Sequence, residues 1–159
     1  MSTTPAILLV DDSQADVKLT LRAMGELRPS HDIKVVRDGV EALEYIFGTD
    51  RDFEYPAVQT PRLILLDLKL PKVNGFQLLR ALKLNPHTQS IPVVILTSSK
   101  QESDIRDCYM IGANSYVQKP VDFDVFRQVI REIDTYWLRV NQAPPASGPP
   151  VSGFKNVKK

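Results

Sequence analysis

Short apolar runs of strand length alternate along the chain with segments in which apolar residues recur at helical spacing. The predicted strands are residues 6–10, 32–36, 63–67, 93–97 and 115–119. The predicted helices are residues 15–27, 39–47, 75–84, 102–111 and 123–140. This alternation is typical of successive β/α units, in which crossover helices join parallel strands.

The apolar content of the predicted strands indicates their order in a sheet. Leu, Ile and Val fill the first, third and fourth strands almost completely, as expected where helices cover a strand on both faces. The second and fifth strands are more polar, which favours edge positions. Five units are too few for a closed barrel of about eight strands. The pattern therefore predicts an open parallel α/β sheet with helices on both faces and a ligand site at the carboxyl ends of its strands.

Two segments depart from this repeat. Residues 48–62 form a long connection before the third strand, with two prolines and two aromatic residues, and predict a surface excursion whose role is open. Residues 141–159 are rich in Pro, Gly and Ser and end in lysines, a composition that cannot build a core. We therefore expect one domain over residues 1–140 and a disordered tail over residues 141–159.

Overall composition narrows the possible partners and location. The chain has 20 Lys and Arg against 19 Asp and Glu, so net charge indicates neither nucleic acid nor an anionic membrane as a partner. It has neither a basic, apolar leader nor an apolar run of about 18 residues. Cys108 is the single cysteine, which excludes an intrachain disulfide and a cysteine-based zinc cluster. We expect a soluble cytoplasmic protein that does not bind nucleic acid or membrane directly.

Polar side chains stand at the carboxyl ends of four predicted strands. They are Asp11 and Asp12 after the first, Asp67 at the end of the third, Thr97 at the end of the fourth and Lys119 at the end of the fifth. Because parallel strands end at one edge of a sheet, we expect these residues to converge. Neighbouring carboxylates need a cation, and an all-oxygen donor set favours Mg²⁺. Mg²⁺ held in this way commonly also binds phosphate oxygens, so the pattern indicates phosphoryl chemistry.

Asp67 is the best candidate nucleophile because it ends a central apolar strand, and a carboxylate there can form an aspartyl phosphate. Mg²⁺, the Lys119 ammonium and the Thr97 hydroxyl would each stabilise part of the phosphoryl charge. Each residue alone has a simpler interpretation. The acid pair could be a turn or helix cap, Thr97 a strand-end hydrogen bonder and Lys119 a solvated charge. Their joint order at the ends of apolar strands favours a common site.

Four segments resemble the receiver domain of two-component response regulators: LLVDDS, LILLDLKLPKVNGFQLLRALK, IPVVILTSS and GANSYVQKP. The similarity covers about residues 6–140. It implies a flavodoxin-like fold with strand order 2-1-3-4-5 and phosphorylation of Asp67. It also implies that Asp12, Asp67 and the backbone carbonyl of Lys69 ligate Mg²⁺, while Asp11 acts through water.

The same resemblance implies a conformational switch and a class of partner. Thr97 and Lys119 would contact the phosphoryl group, and Tyr116 would be the aromatic residue whose rotamer follows Thr97 in the active state. The segments VVRDGVEALEYI and KPVDFDVFRQVIREIDTYWL, together with the long connection and the lack of an effector domain, resemble the small regulators that partner bacterial phytochromes. This implies a phytochrome-type sensor histidine kinase as phosphodonor and light as the input, with another kind of sensor kinase as the alternative.

The last predicted helix indicates how the signal leaves the protein. Phe126, Val129, Ile130, Ile133 and Trp137 recur at helical spacing and predict the face that packs on the sheet. Val125, Tyr136 and Val140 fall partly outside that face. Since Tyr and Trp are enriched at interfaces, Val125, Tyr136, Trp137 and Val140 form a candidate dimer face. We expect a homodimer through the fourth helix, fifth strand and fifth helix; the alternative is that these residues cover the sheet edge.

Three other function classes fit parts of the pattern. A phosphatase of the haloacid dehalogenase type would need a second acid two residues after Asp67, where Lys69 stands. A flavodoxin-type cofactor module would need a hydroxyl- or glycine-rich phosphate loop in place of DDSQAD. A binding protein that acts without phosphorylation is the remaining alternative. The sequence favours a phosphoacceptor whose only turnover is slow self-dephosphorylation, not an enzyme.

Overall fold

The computed structural model describes residues 4–48 and 60–145 and contains every predicted strand and helix. The strands are β1 (Ile7–Val10), β2 (Ile33–Val36), β3 (Leu63–Leu66), β4 (Val93–Thr97) and β5 (Ser115–Gln118). The helices are α1 (Gln14–Gly25), α2 (Gly39–Phe47), α3 (Gly75–Leu84), α4 (Glu102–Ile111) and α5 (Phe123–Thr135). Most of the predicted connection 48–62 and most of the predicted tail 141–159 lie outside the described residues.

The strands form one parallel sheet in the order β2-β1-β3-β4-β5. This confirms the predicted flavodoxin-like order and the edge positions of the two more polar strands. Val10, the last residue of β1, lies opposite Val36 of β2 on one side and Leu66 of β3 on the other. Three neighbouring strands therefore end at the same level, which brings the residues that follow β1 and β3 together.

Alternate residues of the central strands supply two separate apolar layers. Leu8, Val10 and Leu66 belong to the layer beneath α2, α3 and α4. Ile7 and Leu9 belong to the layer beneath α1 and α5. Because side chains alternate along a strand, a run of consecutive apolar residues serves both layers. The sheet is thus covered on both faces and leaves its carboxyl edge as the place for a polar site.

Side chains cap the starts of the helices that follow β1 and β3. Ser13 accepts a hydrogen bond from the Asp16 backbone N–H at the start of α1. Asn74 and Gln77 form a reciprocal capping box at the start of α3, with both bonds at 2.9 Å. These caps satisfy amide groups that would otherwise lack partners at helix starts. The loops of the carboxyl edge are therefore held at both ends.

The predicted last helix, residues 123–140, changes character near its end. α5 ends at Thr135, and a π-helical segment covers Tyr136–Val140, closed by a 2.6 Å bond from the Asn141 N–H to the Tyr136 carbonyl. The wider turn brings Leu138 into the core, five residues after Ile133. None of the helices in the two described ranges, α5 with this extension included, is long and apolar enough to span a membrane.

Candidate functional site

Backbone hydrogen bonds extend the sheet one residue beyond three of its strands. The Asp11 N–H donates to the Val36 carbonyl at 3.1 Å, and the Asp67 N–H donates to the Val10 carbonyl at 3.0 Å. The Lys119 N–H donates to the Thr97 carbonyl at 2.7 Å. The structure thus places the polar residues after β1, β3 and β5 at one edge, where a backbone hydrogen bond to the neighbouring strand holds each of them.

The ammonium group of Lys119 is the centre of this edge. Its Nζ lies 2.8 Å from Asp11 Oδ2, 2.8 Å from Asp16 Oδ2 and 2.9 Å from Asp67 Oδ2. Lys119, Asp11 and Asp67 are only 9%, 1% and 8% exposed. Charged groups that are buried to this extent require charged or hydrogen-bonding partners. The four side chains therefore form one interdependent polar cluster.

The charges of this cluster do not balance. Three carboxylates share one ammonium, so two negative charges remain uncompensated when all the groups are ionised. Burial raises the pKa of Asp11, and the hydrogen bond from Lys119 opposes that rise. Burial by itself lowers the pKa of Lys119, but its hydrogen bonds to Asp11, Asp16 and Asp67 outweigh burial and raise the pKa above its usual value. The cluster retains a charged lysine and favours a further cation.

The donor atoms fit a small, hard divalent cation. Oxygens of Asp11, Asp16 and Asp67 lie within 4.8 Å of one another, and all three donors are carboxylates. The second oxygen of Asp11 accepts the Ser13 N–H at 2.9 Å, while that of Asp67 makes only a long, 3.5 Å contact with the Lys69 N–H. An all-oxygen set of this kind suits Mg²⁺. One Asp67 oxygen thus remains weakly bound and available to a ligand.

Asp12 and Lys69 are placed differently from the cluster. Asp12 is exposed, and its carboxylate forms no hydrogen bond or ion pair with the residues that the structure describes. The Lys69 side chain is exposed as well, and its backbone N–H, not its carbonyl, makes the contact to Asp67. The roles of Asp12 and of the Lys69 carbonyl as metal ligands remain predictions.

Gly75 allows α3 to begin against the backbone of Asp67. A Cβ atom at this position would lie 2.4 Å from the Asp67 carbonyl oxygen and 2.6 Å from the Leu68 Cα. The Gly75 N–H donates to the Leu68 carbonyl at 2.9 Å. Only glycine fits such a close approach without a backbone shift. Gly75 therefore supports the position of Asp67, a role that the sequence pattern did not indicate.

Thr97 and Tyr116 are both bound to Ser99. The Ser99 N–H donates to the Thr97 hydroxyl at 3.4 Å, and the Tyr116 hydroxyl donates to the Ser99 carbonyl at 2.9 Å. The Ser99 hydroxyl in turn donates to Asp104 Oδ2 at 2.6 Å. Burial raises the pKa of Tyr116. The fully buried Thr97 is thus connected to the half-buried Tyr116 through a single residue of the β4–α4 loop.

Sequence reasoning did not identify Asp16, Ser99 or Asp104 as members of these contacts. Asp16 lies three residues after the helix cap Ser13, where an acidic residue is the usual partner of the cap. That position gives no indication of a contact with Lys119, which lies 103 residues away. The contacts of Ser99 and Asp104 depend on how α4 packs beside β5, which local patterns do not predict.

The candidate dimer face is exposed at three of its four residues. Val125, Tyr136 and Val140 are 52%, 50% and 60% exposed. Trp137 instead packs partly against the layer beneath α1 and α5, with its ring 4.9 Å from that of Tyr136 in an edge-to-face arrangement. Trp137 therefore supports the exposed Tyr136 ring and contributes to the core as well.

An open parallel sheet with an Asp–Lys cluster at its carboxyl edge defines the class of this protein as a receiver-type α/β fold. Residues 7–131 match the family model of the response regulator receiver domain. The chain belongs to the response regulator receiver family of two-component signalling proteins, and it is a signalling protein rather than a conventional enzyme.

Similar proteins include both curated sequences and solved structures. The probable methanogenesis regulatory protein FilR2 of Methanothrix harundinacea is 40% identical over 138 residues, which cover 87% of this chain and 86% of that protein. Response regulator Rcp1 of Synechocystis is 35% identical over 140 residues, covering 88% and 93%. The Mn²⁺-bound structure of Rcp1 has a TM-score of 0.76, 34% identity and coverage of 87% and 98%. The phosphorylated cyanobacterial phytochrome response regulator RcpA has a TM-score of 0.79, 34% identity and coverage of 90% and 100%.

Proposed function

We propose that a sensor histidine kinase transfers a phosphoryl group to Asp67 and that this modification switches the protein's interactions. The observation that carries the proposal is the buried Asp67 carboxylate, with one oxygen 2.9 Å from the Lys119 ammonium and the other only loosely bound. A carboxylate in this setting is an oxygen nucleophile beside a fixed positive charge. The fold places it at the edge where ligands of open α/β sheets bind.

The transfer is an in-line exchange at phosphorus. An oxygen of Asp67 forms a bond to phosphorus while the phosphorus–nitrogen bond of a kinase phosphohistidine breaks and the imidazole leaves. Lys119 turns from the ionised carboxylate toward the new phosphoryl oxygens, and the Thr97 hydroxyl donates to another of them. Mg²⁺, held by Asp12, Asp67 and the Lys69 carbonyl with Asp11 acting through water, would supply further positive charge for these oxygens.

The kinase is proposed to be a phytochrome-type sensor, with light as the input. Support comes from RcpA, a cyanobacterial phytochrome response regulator that matches 90% of this chain. The Mn²⁺-bound form of Rcp1 supports a divalent cation at this kind of site. We propose that residues 1–140 act in the cytoplasm as the receiver, without direct contact to nucleic acid or membrane.

The output is proposed to be a homodimer formed through α4, β5 and α5. The bound phosphoryl group would draw Thr97 toward it. Ser99, which is bonded to both Thr97 and Tyr116, would transmit this shift to the face formed by Val125, Tyr136, Trp137 and Val140. Support comes from the shared Ser99 contacts and from the three exposed apolar residues of that face. A phosphoryl group that is bound more tightly by one of two conformations shifts their populations.

The first experiment measures the intact mass of the protein after incubation with a small acyl-phosphate donor, with and without Mg²⁺. We expect one phosphate adduct that depends on Mg²⁺ and is absent from Asp67→Asn. Transfer from a phosphorylated phytochrome kinase, compared with an unrelated histidine kinase, then tests the partner. An unmodified wild type under conditions that label a known receiver would favour the phosphorylation-independent binding protein.

The dimer is tested by sedimentation equilibrium of the phosphorylated and unphosphorylated protein. Val125→Glu is expected to weaken association of the phosphorylated form. Leu84→Glu is the matched control because Leu84 is an apolar residue that is 76% exposed at the end of α3, which is not one of the elements of the proposed interface. Equal effects of the two substitutions would contradict the proposed interface.

A further inference from the structure

Asp16 is the one member of the Asp–Lys cluster that comes from a helix rather than from a strand end. It lies in the first turn of α1, and its Oδ2 is 2.8 Å from Lys119 Nζ. Its side chain is 35% exposed, whereas those of Asp11 and Asp67 are 2% and 10% exposed. Asp16 therefore contacts the ammonium from the solvent side of the cluster, and the two strand-end carboxylates contact it from within.

The local hydrogen bonds explain why Asp16 is free to make this contact. An acid three residues after a Ser cap commonly accepts the N–H of the cap residue itself. Here the Ser13 N–H is already bound by Asp11 Oδ1 at 2.9 Å. The Ser13 hydroxyl still accepts the Asp16 N–H at 3.3 Å, so the cap is half formed. The carboxylate that would complete the cap is bound to Lys119 instead.

We propose that Asp16 is a positioning residue that holds the Lys119 ammonium at the rim of the site when a divalent cation binds Asp67 directly and Asp11 through water. This inference rests on the proposed function, because it assigns a role toward the cation of the same site. Without Asp16, the ammonium has only the two inner carboxylates as partners and competes with the cation for them. With Asp16, one carboxylate outside that pair is reserved for the lysine.

The charges support these separate roles for Asp16 and for the two inner carboxylates. A divalent cation beside Asp11 and Asp67 places two positive charges close to the ammonium, and like charges a few ångströms apart repel strongly in a buried setting. Asp16, whose Oδ2 lies 2.8 Å from Lys119 Nζ in this structure, would offset part of that repulsion by keeping the ammonium paired. The lysine then remains near the Asp67 carboxylate, where an incoming phosphoryl group would need it.

The test is a double-mutant cycle on Mn²⁺ affinity, measured by the electron paramagnetic resonance signal of free Mn²⁺. We expect Asp16→Asn to weaken Mn²⁺ binding roughly 3- to 10-fold, the scale of one partly exposed charge-assisted contact. In a Lys119→Met background, where no ammonium competes, Asp16→Asn should change the affinity by less than about twofold. Asp16→Glu should keep the Mn²⁺ affinity within about twofold of the wild type, because the glutamate carboxylate can still reach the ammonium.

Two further measurements keep the test decisive. Asp124→Asn is the matched control, since Asp124 is an exposed acid in the first turn of α5, and it should leave Mn²⁺ binding unchanged. If Lys119→Met does not fold, the reactivity of Lys119 toward an amine reagent at saturating Mg²⁺ replaces the cycle. Peptide mass spectrometry should show several-fold faster labelling of Lys119 in Asp16→Asn, relative to the exposed Lys72 as internal standard.

Equal weakening by Asp16→Asn in both backgrounds would show that Asp16 acts on the metal directly, as a ligand or as a nearby charge, and not through Lys119, and would overturn the proposal. No weakening in the wild-type background would overturn it as well. Acyl-phosphate labelling of the wild type is measured separately, so the two conclusions can fail independently. A labelled wild type with no coupling in the cycle rejects the role of Asp16 alone. An unlabelled wild type with the expected coupling rejects phosphorylation and retains that role.

Discussion

The hydroxyl of Tyr116 donates a hydrogen bond to the backbone carbonyl of Ser99 at 2.9 Å. Ser99 also binds Thr97 through its N–H and Asp104 through its hydroxyl. Three atoms of one loop residue are thus bonded to β4, β5 and α4. Any movement of Thr97 toward a phosphoryl group would pull on the same residue that holds the tyrosine ring, which gives a short path from the site to the surface.

Breaking the Ser99–Asp104 bond should loosen the Tyr116 ring. Ser99→Ala removes a 2.6 Å hydrogen bond to Asp104 and is expected to lower the free energy of unfolding by about 1 kcal/mol. The freed loop should let Tyr116 exchange between inward and outward positions, as seen in the ¹⁹F spectrum of fluorotyrosine-labelled protein. Asp107→Asn, on the exposed side of α4, is the control. An unchanged Tyr116 resonance in Ser99→Ala would show that the loop does not depend on this bond.

Gly75→Ala should disturb the phosphoacceptor. The new methyl group would lie 2.4 Å from the Asp67 carbonyl oxygen, which is backbone and cannot rotate away. We expect a loss of about 1–3 kcal/mol in the free energy of unfolding and slower acyl-phosphate labelling of Asp67. Gly25→Ala, at the end of α1 with no atom within 4 Å of the added carbon, is the matched control and should be neutral or slightly stabilising. Similar labelling rates in the two variants would exclude the proposed displacement.

The ion pair between Arg28 and Asp134 should be costly to break from one side. Asp134 is fully buried, its Oδ2 accepts from Arg28 Nε at 2.7 Å, and its Oδ1 has no hydrogen-bond partner among the described residues. Arg28→Met should lower the free energy of unfolding by about 3 kcal/mol, because the buried carboxylate loses its hydrogen-bonded counter-charge and keeps only Arg139, whose Nε lies 3.8 Å from Oδ1. The double variant Arg28→Met/Asp134→Leu should lose less. Urea unfolding measures the loss in each variant, and a loss in the double variant as large as that in Arg28→Met would contradict the coupling.

The Cys108 thiol should be inert in the folded protein. Burial, followed by the charges of Asp104 and Asp107, raises its pKa to about 11 from 9.0, and the side chain is fully buried. At pH 8 only roughly one molecule in a thousand would carry a thiolate. Iodoacetamide should therefore label the urea-unfolded chain much faster than the native protein. Because the pKa of this thiol is higher in the folded protein than in the unfolded chain, the free energy of unfolding should fall as pH rises from about 9 to about 11. Cys108→Ala should lack this part of the pH dependence. Comparable native and unfolded labelling rates would refute the prediction.

Local pattern was sufficient for much of this protein. Each strand and each α-helix was predicted from apolar spacing, since buried parallel strands and amphipathic helices impose their periods on the sequence. The convergence of Asp11, Asp67 and Lys119 followed as well, because residues after parallel strands must share one edge. The edge positions of β2 and β5 followed from their polar content.

Only the tertiary structure decided the contacts in which a side chain had more than one possible partner. Asp16 could have completed the cap at Ser13, and its pairing with Lys119 depends on Asp11 having taken that N–H. The predicted 3.6-residue period continued through Trp137, whereas the π-turns placed Leu138 in the core. Such contacts are decided by competition among groups that are distant in sequence. The alternatives differ little in energy, and the outcome produces no periodic pattern in the sequence from which it could be predicted.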